Sequence, residues 1–186
     1  MKNLQNVAYS LFETQLGWCG LAWNEPESSL ILLQLPEATP ALTEAKIVQN
    51  CRARKVSTPL SAISWVISRI SRHLMGDLQD FLDIPIDIER MGLFAQYVYA
   101  AARTVQAGQT MTYGELAKAI NRPKACRAVG QALGRNPLPL IIPCHRILAA
   151  GNRPGGFSAY GGPAIKAQLL AIEGVFLPKN SYLQKK

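Results

Sequence analysis

Thr112-Tyr113-Gly114-Glu115-Leu116-Ala117, followed after a short turn by Ala125-Cys126-Arg127-Ala128-Val129-Gly130-Gln131-Ala132-Leu133-Gly134, is the text that decides how this chain folds. Thr112 is a good N-cap, so a short helix over Tyr113–Ile120 is expected. Asn121-Arg122-Pro123-Lys124 stops it, and a second helix follows over Ala125–Leu133, with Gly134 in the place a C-terminal glycine prefers. Two short helices joined by about four residues have a helix-turn-helix outline. On the second helix Cys126, Val129 and Leu133 form one face, expected to pack on Leu116 and Ile120. Arg127, Gln131 and Arg135 recur every four residues on another. Ala125, Ala128, Gly130 and Ala132 keep that helix thin enough to approach a duplex closely.

Downstream, the apolar run Leu138–Ile142 leads into Pro143-Cys144-His145-Arg146, read as the end of a strand. A cysteine attacks as its thiolate, so chemical use of a thiol calls for a nearby base or cation. Here an imidazole and a guanidinium are adjacent in sequence.

Charge sorts the two halves. Residues 1–89 carry 7 Lys/Arg against 10 Asp/Glu, a net of −3. Residues 90–186 carry 13 against 2, a net of +11. A strongly basic back half implies a polyanion partner, nucleic acid before membrane. No apolar run approaches the roughly 20 residues of a membrane span, and the start Met1–Asn6 lacks a secretory h-region. Cys19, Cys51, Cys126 and Cys144 show no close pairing and read as free thiols of an intracellular, cytoplasmic protein.

The front half reads as a small α/β domain. Strands are expected over 17–23 and 29–35, split by a turn at Asn24-Glu25-Pro26-Glu27, then helices over 43–54 and 61–75. An acidic connector, 77–87, ends in strand-like alternation. Residues 1–87 form the N-terminal α/β domain, a mixed or antiparallel sheet with helices. Residues 88–186 form a mostly helical domain that opens with a helix over 94–106 and carries the helix-turn-helix and the cysteine.

The back half resembles the O6-alkylguanine-DNA alkyltransferases, also called methylated-DNA–protein-cysteine methyltransferases. The likeness rests on Thr112–Ala117, Arg127-Ala128-Val129-Gly130, Arg135-Asn136-Pro137, Ile142–Ile147, Tyr160-Gly161-Gly162, Lys166 and Leu169–Gly174, in family order across roughly residues 88–175. It implies that Cys144 takes the alkyl group from guanine O6, and by the same chemistry from O4-alkylthymine. His145 acts as base through a water, and Glu173, 29 residues beyond the cysteine, orients the imidazole. Asn136 fixes the turn before the cysteine, and Arg146 holds the segment by bonding to backbone or a carboxylate. Tyr113 donates to base N3, and Arg127 fills the stack vacated by a flipped base. Arg135 and Gln131 join the surface toward double-stranded DNA, bound in the minor groove with little regard to sequence. The protein acts once, as a monomer, without cofactor.

Counting back from Gly161-Gly162, Ala159 stands where the family commonly has an aromatic and Tyr160 where it has a small residue. The backbone N–H at Tyr160 is then the expected contact to O6, with the accepted alkyl size left open. Val105-Gln106 replaces a common Ile-Pro. Some relatives hold zinc in the front domain, but Cys19, Cys51 and His73 have no metal-ligand spacing, so no metal is expected. Three alternatives have a cost. A binding module of this fold lacks the cysteine, a regulator carries an extra metal-binding domain, and a cysteine hydrolase does not need the arginine row.

Overall fold

A hairpin of two eight-residue strands, β1 (Val7–Thr14) and β2 (Gly17–Asn24), is the base of the front half in the computed structural model, which describes residues 6–178 except Pro26. Thr14 sets the reversal: its hydroxyl donates to Gly17 O at 2.8 Å and accepts from Leu16 N at 3.2 Å. β3 (Leu30–Gln34) pairs antiparallel with β2, and β4 (Arg54–Lys55) pairs parallel with β1, giving the order β3-β2-β1-β4. Helix α1 (Pro40–Asn50) starts with the Thr39 side chain capping Leu42 N and proline in its first turn. Its Ile47 is fully buried with Val7, Tyr9 and Ala22. Helix α2 (Ser61–Leu74) buries Ile63, Val66, Ile70 and Leu74, one helical stripe.

The chain divides into two compact units. Among the described residues, one runs to Gln79 and takes in Asp83–Ile88; the other is Asp80–Leu82 with those from Glu89 onward. In the second unit lie α3 (Leu93–Arg103), β5 (Met111–Thr112), α4 (Tyr113–Ala119), α5 (Cys126–Gly134), a single 3₁₀ turn at Cys144–Arg146, β6 (Ile147–Leu148) and α6 (Gly162–Ile172). Thr112 caps α4 through a reciprocal pair: its side chain accepts from Glu115 N at 3.2 Å, and the Glu115 carboxylate accepts from Thr112 N at 2.7 Å. Leu116, Ala117, Val129 and Leu133 are buried where α4 and α5 pack. β5 and β6 pair in parallel, Met111 opposite Ile147, which ties the turn before β5 to the cysteine segment before β6.

The structure corrects several expectations. Val7–Thr14 is a strand, although residues 7–10 are all buried and so show no alternation to read. The helix expected over 43–54 begins three residues earlier and ends at Asn50; Cys51 is extended, and Arg54-Lys55 join the sheet instead. The proline of the expected turn at 24–27 lies outside the described residues. Gly134 stays helical and Arg135 caps α5, with φ −107, so the glycine is not used as a left-handed terminator. Cys126 is exposed rather than packed on α4. The segment before Cys144 is not a strand. Ile142 N bonds Leu138 O at 2.7 Å and Leu140 takes φ 72, folding the apolar run into a turn.

Candidate functional site

Cys144 opens the 3₁₀ turn and is buried, with 7% of the residue exposed. Asn136, just past α5, fixes that thiol. Its Nδ2 donates to Ile142 O at 2.7 Å and to Cys144 Sγ at 3.2 Å, while its Oδ1 accepts from Leu138 N at 3.0 Å. One amide therefore both closes the turn and touches the sulfur. Burial pushes the Cys144 thiol up, opposed by the Asn136 bond, the nearby Lys166 ammonium and the backbone N–H groups of Cys144 and His145. Burial wins, so the resting sulfur keeps its proton and needs a base to lose it.

The two residues that follow Cys144 belong to a buried ionic cluster. His145 Nε2 stands 2.9 Å from Glu173 Oε1, both side chains 0% exposed. A carboxylate only accepts, so Nε2 carries the ring proton in the neutral imidazole and Nδ1 is the lone-pair nitrogen. Arg146 grips the same carboxylate through Nε (3.0 Å to Oε2) and Nη2 (2.8 Å to Oε1), and its Nη1 donates to Val105 O. Gly108 N adds a longer contact of 3.4 Å to Oε2. Gly108 has φ 79, and a Cβ there would stand 3.2 Å from Glu173 O, so both conformation and space call for glycine.

The thiol faces an open pocket of about 690 Å³. Cys126, Arg127, Gly130 and Gln131 of α5 form one wall, Tyr113 of α4 another, and Gly156-Phe157-Ser158 a third. Tyr113 is held on three sides. Gly130 lies under its ring, Lys166 Nζ is 5.7 Å from the ring centroid, and Gly155, at φ 67, comes so close that a Cβ would meet the ring at 3.0 Å. Burial, then the Cys144 and Cys126 charges, push the Tyr113 phenol up. It is a proton donor, not a base.

Of the residues singled out in the sequence, Cys144, Tyr113, Arg127 and Gln131 line this pocket; Asn136 bonds the thiol, and His145 and Glu173 are buried together outside the lining. Arg135 is exposed but outside the lining. Ala159 and Tyr160 do not line it either. Ala159 O accepts from Gly162 N at 2.9 Å, a tight turn into α6 that carries Tyr160 into solvent at 55% exposure. The loop reaches the pocket two residues earlier, at Phe157-Ser158. Counting back from the glycine pair misses this because the turn itself consumes Ala159 and Tyr160. Lys166 is fully buried, and no periodicity marks it for a role.

Among the described residues no group of three or more metal-binding side chains comes together. Cys19 is buried with its thiol pushed up to about 12, and His73 Nδ1 accepts from Gln79 N at 3.1 Å. Also among the described residues, no helix is long and apolar enough to cross a membrane.

Comparison with known proteins places these features in context. Residues 93–175 match the family described as 6-O-methylguanine DNA methyltransferase, DNA binding domain. A methylated-DNA–protein-cysteine methyltransferase of Mycolicibacterium paratuberculosis is 34% identical over 79% of this chain and 88% of its own. One from Methanosarcina acetivorans is 32% identical over 89% and 97%. The crystal structure of Mycobacterium tuberculosis OGT in complex with DNA superimposes with a TM-score of 0.72 at 32% identity, covering 89% of this chain and 92% of that one.

Removing Glu173 leaves the Arg146 guanidinium buried without its carboxylate, a change that typically costs about 3–5 kcal/mol. Glu173→Ala is therefore expected to lower unfolding free energy by about that much in urea titrations, beyond any loss of chemistry. A loss below about 1 kcal/mol would show that the cluster does not hold the segment.

Proposed function

The chain belongs to the methylated-DNA–protein-cysteine methyltransferase family, and on that premise we propose that it repairs DNA by moving the alkyl group of O6-alkylguanine onto its own Cys144. One observation carries this reading. Cys144 lines a pocket, and the imidazole next to it in sequence is fully buried on the Glu173 carboxylate. The pocket then receives the alkylated base, and the buried pair supplies the base that takes the thiol proton.

In the reaction the Cys144 proton passes through a water to His145 Nδ1, and the imidazolium is stabilised by the Glu173 carboxylate. The sulfur attacks the alkyl carbon in line. An S–C bond forms, the C–O6 bond breaks, and the electron pair stays on guanine. The Tyr113 hydroxyl, kept protonated by its surroundings, donates to the base at N3 and takes up part of that developing charge. Because Phe157-Ser158 line the pocket and Tyr160 does not, the contact to O6 is assigned to backbone N–H groups of that segment. Phe157 then limits the alkyl groups the pocket accepts. The thioether is stable, so each molecule acts once.

A base inside a duplex cannot present O6 to a protein thiol in line, so the nucleotide must rotate out. α5 is the element to enter the groove. Its exposed Arg127 and Gln131 stand on the pocket rim, and its small residues permit close approach in the minor groove, which carries little sequence information. With α4 it makes the helix-turn-helix, and the basic half supplies the phosphate contacts. Arg127 fills the vacated stack.

Incubation with methylated duplex is expected to add one methyl mass per wild-type molecule and none to Cys144→Ser, whose affinity for DNA persists. Transfer retained by Cys144→Ser would refute the mechanism. For Arg127→Ala, losing a plug worth about 1.4–2.8 kcal/mol slows repair of duplex by about 10- to 100-fold, while reaction with the free alkylated base barely changes. Equal slowing on both substrates would assign Arg127 to the fold or the pocket instead of the flipping step.

A further inference from the structure

The Tyr113 hydroxyl makes no hydrogen bond to any described residue, so packing sets its place. That packing begins at the short parallel pair. Thr112 of β5 stands opposite Leu148 of β6, so Tyr113 and Ala149 leave the pair side by side. The chain beyond β6 then reverses. Ala149 N donates to Arg153 O at 2.8 Å, with Gly151 and Asn152 at φ 73 and 54 in the turn. The reversal brings Gly155, at φ 67, against the ring: a Cβ there would stand 3.0 Å from Tyr113 Cε2 and 3.1 Å from its Oη. At the opposite edge Gly130 leaves more room, its Cβ position lying 3.8 Å from Cε1. The ring therefore sits between two glycines, and the tight side is the one beside the hydroxyl.

Two glycines of this loop have left-handed backbones for different reasons. Gly151 needs only the conformation, since nothing stands within 4 Å of a Cβ there. Gly155 needs the conformation and the space. Gly155 does not line the pocket, but the three residues after it, Gly156-Phe157-Ser158, do. The contact between Gly155 and the ring thus fixes the donor for N3 relative to the segment assigned to O6. We propose that Gly155 is a positioning residue, whose bare backbone sets the Tyr113 hydroxyl against the Phe157-Ser158 segment so that the base is met at both ends together. This inference rests on the reading of Tyr113 as the donor to the base.

A methyl group at position 155 has no room at 3.0–3.1 Å, so the ring or the loop must shift. Either shift changes the gap between the two donor groups. The loss therefore falls on the transfer step, where both donors must meet the developing charge.

Single-turnover methyl transfer from O6-methylguanine duplex, at saturating protein, tests this. Gly155→Ala should slow transfer about tenfold, short of the roughly 100-fold that a misplacement near 1 Å can cost. Gly151→Ala puts the same backbone strain into open space and should transfer at the wild-type rate. Tyr113→Phe, which lacks the hydroxyl, should be slower than Gly155→Ala. Adding Gly155→Ala to Tyr113→Phe should then cost less than about twofold more, because the group it positions is gone. An unchanged rate in Gly155→Ala, equal slowing in Gly151→Ala, or a further loss of about tenfold on top of Tyr113→Phe overturns the proposal. If Gly155→Ala does not fold, Gly155→Asn takes its place, since asparagine enters the left-handed region more readily and carries the same Cβ. Transfer by Tyr113→Phe at the wild-type rate would remove the donor reading, and this proposal with it, while leaving Cys144 as the acceptor. No transfer to the wild type at all would sink the repair reading itself.

Discussion

The Glu173 carboxylate, fully buried between His145 and Arg146, is the constraint on which the rest of the site depends. A buried carboxylate is tolerable only when its lone pairs are taken by well-placed donors. Here the imidazole, two guanidinium nitrogens and the Gly108 N–H take them. The donors come from two stretches of the chain, the cysteine turn and the turn before β5, and the carboxylate from a third. The carboxylate therefore joins the end of α6, the turn before β5 and the cysteine turn at a single point. Arg146 extends the tie to Val105 O at the end of α3. The same contacts that hold the segment also set the imidazole's tautomer, so fold and chemistry share one group.

α6 carries more of the electrostatics than its apolar sequence suggests. Glu173 caps its C-terminus and Lys166 is near enough to influence the cysteine, so the helix supplies an anion to the His145 imidazole and a cation near the Cys144 thiol. Asn136 adds a neutral donor from the opposite direction. Burial opposes ionisation of the thiol, and these groups offset part of that. A sulfur so arranged is quiet until a substrate occupies the pocket and a base can take its proton.

Local signals were readable and long-range ones were not. Thr112 as a cap, the two helices of the basic half and the Arg127–Gln131 face follow from spacing within one turn or two. The partnership of Arg146 with a carboxylate was foreseeable as chemistry, since a guanidinium next to a cysteine in an apolar setting needs an acceptor. The sheet was harder. β1 is buried on both faces and loses its alternation, and β4 is two exposed residues that only pairing with β1 makes a strand. Cys126 looked like a core thiol because helical spacing places it with Val129 and Leu133, but it sits at the first turn, where α4 no longer covers it. Phe157 and Ser158 were missed because a tight turn shifts the register between the glycine pair and the pocket. Lys166 stands among the residues that carry the family likeness, but its full burial is legible only in the structure.

Cys126 also provides the sharpest test. Two thiols line one pocket, one exposed and one nearly buried. If access alone governed reactivity, Cys126 would capture the alkyl group. If the Asn136, His145–Glu173 and Lys166 surroundings govern it, Cys144 does. Reaction with duplex carrying isotopically labelled O6-methylguanine, followed by proteolysis and peptide mass spectrometry, reads this directly. The account predicts all label on the Cys144 peptide and none on the Cys126, Cys19 or Cys51 peptides; label on Cys126 would contradict it.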